Sequence, residues 1–341
     1  MADPGLEVLE HVRAAFEPDA RWCEETVRGF TWWPAAFAQR FHADDVRETG
    51  GVRTWRVRAE LPLLAGVAGT GEHFATLSRW NAAHPGLSAL RWNGDDGAVS
   101  WTSTVLVSDG DWERGARGLA IAGLLQLADA TRDAAMLARE LAGEPAPAAP
   151  PGGTPRTEPD ALVEAWLRFA EAGAAPGPFT PARLQQLGAT QPPPWLRVNV
   201  DAAGLHAEMA CALAGEARPG SAPGAGVALF HVLTSQPHPA LGAGALAALV
   251  LPAAAEPLAE RHAATAALLN EAEAREFTGC DGLGAWCVHP AAGLAWVTFV
   301  PALLDAEDVL ERLAWSGARR ARWARHFLAK VGEMRAPGRH A

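Results

Sequence analysis

HFATLSRWN (73–81) and HAATAALLN (262–270) stand in opposite halves of a chain of 341 residues, and both read His-x-Ala-Thr, four residues, Asn. The pattern around each predicts a helix with His early and Asn two turns later. Eight residues make roughly 800° of rotation, so the two side chains fall within about 80° of each other. As chemistry the pair would need a third group, with His as acid, base or ligand and Asn as orienter. No Ser, Cys or carboxylate sits at matching positions in both halves. The local reading is therefore preferred: His packs or caps, and Asn holds the strand-leading loop through side-chain-to-backbone bonds.

The surroundings of the two segments also repeat. VRTWRVRAEL (52–61) alternates as a strand before the first, and GVALFHVLTSQ (226–236) reads as a strand before the second. Each predicted helix (71–83 and 257–274) leads to a hairpin: LSALRWN and GAVSWTSTVLV turned by GDDG (94–97), then LGAWCVH and LAWVTFV turned by PAAG (290–293). A long helix closes each half, over 112–141 and 305–332. Identities in the same slot of a repeated element order are read as internal duplication.

Elsewhere, LEVLEHVRAAF (6–16) and DARWCEETVRGF (19–30) have helical apolar spacing, and Pro34 of FTWWPAAFAQRF (30–41) is placed to start another short helix. WLRVNV and LHAEMACAL (195–213), turned by DAAG, read as a hairpin. In the first long helix Trp112, Leu119, Gly123, Leu127, Ala134, Leu137 and Leu141 make a core-facing stripe, while Ile121 and Leu125 lie off it, so that helix meets neighbours on two sides. In the last helix the inward stripe is Leu310, Leu313, Gly317, Ala321, Ala324, Leu328 and Val331; Trp315, Arg319, Trp323 and His326 project oppositely. That second face is either a contact surface or packing onto the other half. The domain expectation is 1–142 as a first module with a helical lead-in, GEPAPAAPPGGTPRTEPD (143–160) as a Pro/Gly linker, and 161–335 as a second module.

Composition excludes some functions. A formal charge of −10 and a pI near 5.6 disfavour a nucleic-acid binder working by bulk charge, and equally an anionic membrane surface. No secretory leader and no membrane-length apolar run is apparent; the Ala/Gly-rich stretch 240–258 is broken by Pro252 and Pro257. Four cysteines without a CxxC pair suggest neither disulfide framework nor zinc knuckle, and a cytoplasmic setting is expected. Cys280, Cys287 and His289 are read as core thiols plus strand alternation, with no metal or cofactor expected. Glu271, Glu273 and Glu276 are read as a solvated helix face, and GSAPGAG (220–226) as a flexible connection.

FTWWPAAFAQRF, followed by a strand, the HxATxxxxN helix, a Trp-bearing hairpin and a long Ala/Leu helix, resembles the YbjN and type III secretion chaperone-like proteins. The closer resemblance is to the two-module bacterial peptide-binding chaperones (TY-Chap), over about 20–142 and 195–332. It implies an α+β fold: a tandem pair of modules, each a curved antiparallel sheet packed by helices, joined as a pseudo-dimer within one chain. It also implies a non-catalytic chaperone or adaptor that holds a peptide or protein guest. Fourteen Trp with no Tyr supply candidate contacts. Trp92 and Trp101 flank the first hairpin turn, Trp286 and Trp296 the second, and Trp32, Trp33, Trp315 and Trp323 complete the set; ordinary core packing is the alternative for each. Two rival functions stand beside this one. The first is a hydrolase or transferase with a site at the module interface using His73, His262 or Glu271; the second is a structural subunit dimerising through the C-terminal helix.

Overall fold

The computed structural model describes residues 3–49, 51–150, 153, 156, 158–165, 182, 184, 185, 196–211, 227–234, 238, 242–251, 259–276, 281–289, 293–304 and 309–335. The fold is α+β with two antiparallel sheets. Helix α1 (Pro4–Phe16) begins where Asp3 Oδ1 accepts the Leu6 N–H at 3.1 Å, with proline at its first position. Four strands follow in sheet order, β1 (Cys23–Thr26), β2 (Gly29–Trp32), β3 (Gln39–Ala43) and β5 (Val52–Ala65), with short β4 (Arg47–Thr49) beside β5. Helix α2 (Gly71–Ala83), the hairpin β6 (Ala89–Trp92) and β7 (Val99–Val107), and helix α3 (Trp112–Glu140) complete the first half. The first sheet runs β1-β2-β3-β5-β7-β6.

The second half contains β9 (Leu196–Val200), β10 (Gly204–Ala210), β11 (Val227–Leu233), β12 (Gly244–Leu251), helix α4 (Ala259–Arg275), the hairpin β13 (Ala285–His289) and β14 (Gly293–Pro301), and helix α5 (Val309–Arg335). Its sheet runs β9-β10-β11-β12-β14-β13. Both sheets thus follow one path: four strands in succession, a helix, a hairpin inserted with its second strand inward, then a long helix.

Strand β5 shows how each sheet is covered. Trp55, Val57, Ala59, Leu61 and Leu63 are buried, while Arg56, Arg58 and Glu60 point the other way. Helices α1 and α3 pack on the first sheet, and the expected α3 stripe is the buried one: Leu119, Leu127, Leu137 and Leu141 join its core. Ala122 and Leu125 on α3 meet Phe299 of the second half, as the off-stripe residues require. Helices α2 and α4 lie against each other, and each touches both β6 and β13.

Several expectations need correction. Residues 19–30 form a 3-10 turn (Ala20–Trp22) and the hairpin of β1 and β2, with Cys23 opposite Trp32. Pairing wins because it buries Phe30 against Phe41, with ring centroids 4.7 Å apart, and Trp32 against Phe16, 4.9 Å apart. Pro34 opens a bend between β2 and β3, not a helix. The Pro/Gly stretch 143–160 is laid along the first half. Within it, β8 (Glu144–Pro145) pairs with β5, Arg156 donates to the Trp33 carbonyl at 3.1 Å, and the Asp160 N–H reaches the Pro34 carbonyl at 2.6 Å. Val163, in the helical residues 161–165, also belongs to the first core. The GSAPGAG stretch, Cys280 and most of the helix expected over 160–173 lie outside the described residues.

Candidate binding groove between the halves

The Asn of the repeated motif is structural in both halves, and the His is so in the first. Thr70 caps α2: its Oγ1 accepts the His73 N–H at 3.4 Å, and His73 Nδ1 accepts the Thr70 N–H at 3.4 Å. Asn81 then clasps β6, its Nδ2 donating to the Leu90 carbonyl at 3.0 Å and its Oδ1 accepting the Leu90 N–H at 2.8 Å. Asn270 does the same to Trp286 on β13, at 2.9 and 2.7 Å. The clasped residue faces a tryptophan across the hairpin, Trp101 or Trp296, and that tryptophan faces a leucine on the next strand, Leu61 or Leu249. The side-chain-to-backbone reading of Asn therefore holds, directed at the strand rather than its loop. His262 is part-buried on α4, and burial lowers its pKa.

Most of the candidate tryptophans are core. Trp32, Trp101, Trp286 and Trp296 are at most 2% exposed and Trp33 is 5% exposed, so these five present little surface to a guest, although Trp296 lines the groove between the halves. The aromatic sheet face expected of them is absent because helices pack on the sheets and the middle helices fill the space between the hairpins. Trp92 is part-buried, its Nε1 donating to the Val67 carbonyl at 2.9 Å and its ring edge-on to Phe74. Trp323 stacks on Phe327 at 5.5 Å against the second core. Trp315 alone of the eight is open, at 51%.

Glu271 and Glu273 are not on a solvated face. Glu273 accepts from Arg320 Nε at 2.8 Å and NH2 at 2.6 Å through one oxygen, and from Trp286 Nε1 at 2.8 Å through the other. Arg320 is fully buried, lies 3.8 Å over the Trp296 ring, and also bonds Ser316 Oγ and the Asp281 carbonyl. Glu271 pairs with Arg91 across the halves at 2.9 Å and with Arg275 on its own helix. Arg320 is not among the residues picked out from the last helix by sequence, although its spacing marks it. Position 320 is seven residues after Leu313 and three after Gly317, which puts it on the apolar stripe.

Further bonds join the halves. The Leu106 N–H meets Asp281 Oδ1 at 2.8 Å, the Val288 N–H meets Ser78 Oγ at 2.8 Å, and Thr298 Oγ1 donates to the Gly86 carbonyl at 3.1 Å. Arg56 caps the end of α4 through the Ala274 and Arg275 carbonyls. Beside these contacts a groove runs along the seam. One part lies between the α3 start and β7 on one side and β14 and the α5 start on the other; Leu87, Val105, Leu283, Val300, Leu304 and Leu313 give it apolar walls. The adjoining part shares Leu106, Asp111, Asp281, Arg312 and Ser316 and is also lined by Val52 and Trp315. Val52 is 56% exposed, so an apolar lip flanks the mouth.

Asp281 is the groove's titrating group. Burial pushes its carboxyl up to about 6, with Asp111 adding to the rise, while the Leu106 N–H, Arg320 and Arg114 oppose it. A raised folded-state pKa means that ionisation costs the folded protein, and the cost is relieved as pH falls through about 6. Relative to an Asp281→Asn variant, the wild type is expected to gain about 1.4 kcal/mol between pH 7.5 and 5. Urea unfolding of both proteins across that range checks it; the difference is needed because His238, held down to about 4 by burial, titrates with the opposite sign.

No protein-family model, curated protein or solved structure matches the chain. Among the described residues no helix is long and apolar enough to cross a membrane. Cys23, Cys211 and Cys287 are free thiols, and burial pushes Cys287 up to about 12, which makes it a poor nucleophile or ligand.

Proposed function

We propose that the chain is a non-catalytic chaperone or adaptor that holds an extended, apolar protein segment in the groove between its halves. In the same reading the halves are a tandem pair of related modules, a pseudo-dimer within one polypeptide, akin to the two-module YbjN-like chaperones. The groove carries the proposal: aliphatic side chains from both halves line it beside Asp111, Asp281 and Arg312, and the half-exposed Trp315 stands in its wall. Large aromatics at a partly open apolar cleft are the residues that anchor protein contacts. The common sheet path and the repeated Asn–strand–Trp–Leu arrangement support duplication.

The enzyme reading draws less support. His73 caps its helix and Glu271 is held by Arg91 and Arg275; neither they nor His262 line the groove. A labelled peptide library tests the proposal. Peptides with several apolar residues are expected to bind, and Trp315→Ser is expected to weaken them at least tenfold, about 1.4 kcal/mol. Absence of any bound peptide, or binding indifferent to Trp315→Ser combined with Leu106→Ser, would overturn it. A change of oligomeric size in the same variant would instead favour a dimerising subunit.

A further inference from the structure

Away from the groove, β10 and β11 pair with His206 directly opposite His231. Both imidazoles are part-buried on the sheet face that carries Glu208 and Leu229, and their Nδ1 atoms are 2.8 Å apart. His206 Nε2 is 3.2 Å from Asp201 Oδ1. That carboxylate is fixed by the turn before β10: the same oxygen accepts the Ala203 N–H at 2.8 Å and the Gly204 N–H at 3.2 Å. These backbone bonds, then His206, lower the Asp201 pKa and keep it ionised. A carboxylate can only accept, so neutral His206 carries its proton on Nε2 and offers the Nδ1 lone pair. His231 Nδ1–H then donates to it.

We propose that His206 and His231 form a binding site for a divalent transition-metal ion, with Asp201 as the outer carboxylate that orients His206. Two nitrogens 2.8 Å apart, each about 2.0–2.1 Å from a common ion, subtend about 85° at it. That is the cis angle of a tetragonal or octahedral centre, whereas a tetrahedral one needs nitrogens about 3.3 Å apart. The spacing as it stands suits copper(II) or nickel(II) better than zinc. Ring rotations of about 45° turn the Nδ1 lone pairs from each other toward a shared point above the sheet, and His231 moves its proton to Nε2. Ala248, opposite His231 on β12, leaves room for solvent to fill the remaining positions. In the order carboxylate–His206–metal, Asp201 holds the far nitrogen of the ligand ring, which fixes its tautomer and raises its basicity. Residue order hides the pair: the two histidines are 25 residues apart, and the strand register brings them together.

Titration calorimetry of the full chain with copper(II), nickel(II) and zinc(II) chloride, in a buffer that does not chelate, tests the site. One ion per chain is expected, tightest for copper, then nickel, with zinc weakest. His231→Gln and His206→Gln should each abolish that event, and Asp201→Asn should weaken it about 10–100-fold. Copper(II) electron-spin resonance should report two nitrogen ligands in the wild type. Equal copper binding by the wild type and the His206→Gln/His231→Gln double variant, with circular dichroism showing both folded, would overturn the proposal, as would zinc binding more tightly than copper.

Discussion

Arg320→Ala is expected to cost about 3–5 kcal/mol of stability, the usual penalty for removing one member of a buried ion pair. The substitution leaves Glu273, whose side chain is only 7% exposed, as an uncompensated charge beneath the second sheet. It also strips the cation from the Trp296 face and one donor from the Asp281 carbonyl. Removing both charges is a different experiment. Arg320→Met with Glu273→Met avoids the stranded charge, yet leaves Trp286 Nε1 without the acceptor it has at 2.8 Å, an unmet buried donor worth about 1–3 kcal/mol. The double variant should therefore lose less than Arg320→Ala alone. Urea midpoints for the three proteins decide it, and a loss below about 1 kcal/mol for Arg320→Ala would contradict the buried pair.

The second large effect lies at the paired asparagines. Asn270→Ala strands both the N–H and the C=O of Trp286, and Asn81→Ala does the same to Leu90. Each unmet buried group costs about 1–3 kcal/mol, so about 2–6 kcal/mol is expected at either site. Asn→Asp should rescue neither, since it keeps an acceptor for the N–H but sets a carboxylate against the carbonyl. Hydrogen exchange localises the damage: the Trp286 or Leu90 amide should lose protection first. Uniform loss across the sheet would mean that the clasp holds nothing in particular.

These sites show what can be read from residue order. The hairpins were legible because GDDG and PAAG offer turn residues at the right spacing; Gly97 and Gly293 both adopt positive φ. The long helices were legible from their stripes. Strand β12 was not, because GALAALVL is apolar throughout: the strand is covered over most of both faces, and the alternation that marks a half-exposed strand disappears. Strands β1 to β3 were missed for the opposite reason, being too short for a period of two to stand out against Trp32, Trp33 and Pro34. Register was invisible throughout, and with it the seam groove, the Glu273–Arg320 pair and the facing histidines. Burial of most of the tryptophans also follows from tertiary packing, since Trp32 and Trp101 join the core of the first half and Trp286 and Trp296 that of the second.

The asparagine clasp has an effect on association with other chains. The outward amide of Leu90 on β6 is occupied by Asn81, and those of Trp286 and Val288 on β13 by Asn270 and Ser78. A sheet margin whose polar groups are already spoken for cannot template another strand. Among the described strands, a ribbon that joins this protein to a neighbour would start from the far margins at β1 and β9 rather than from the hairpins at β6 and β13.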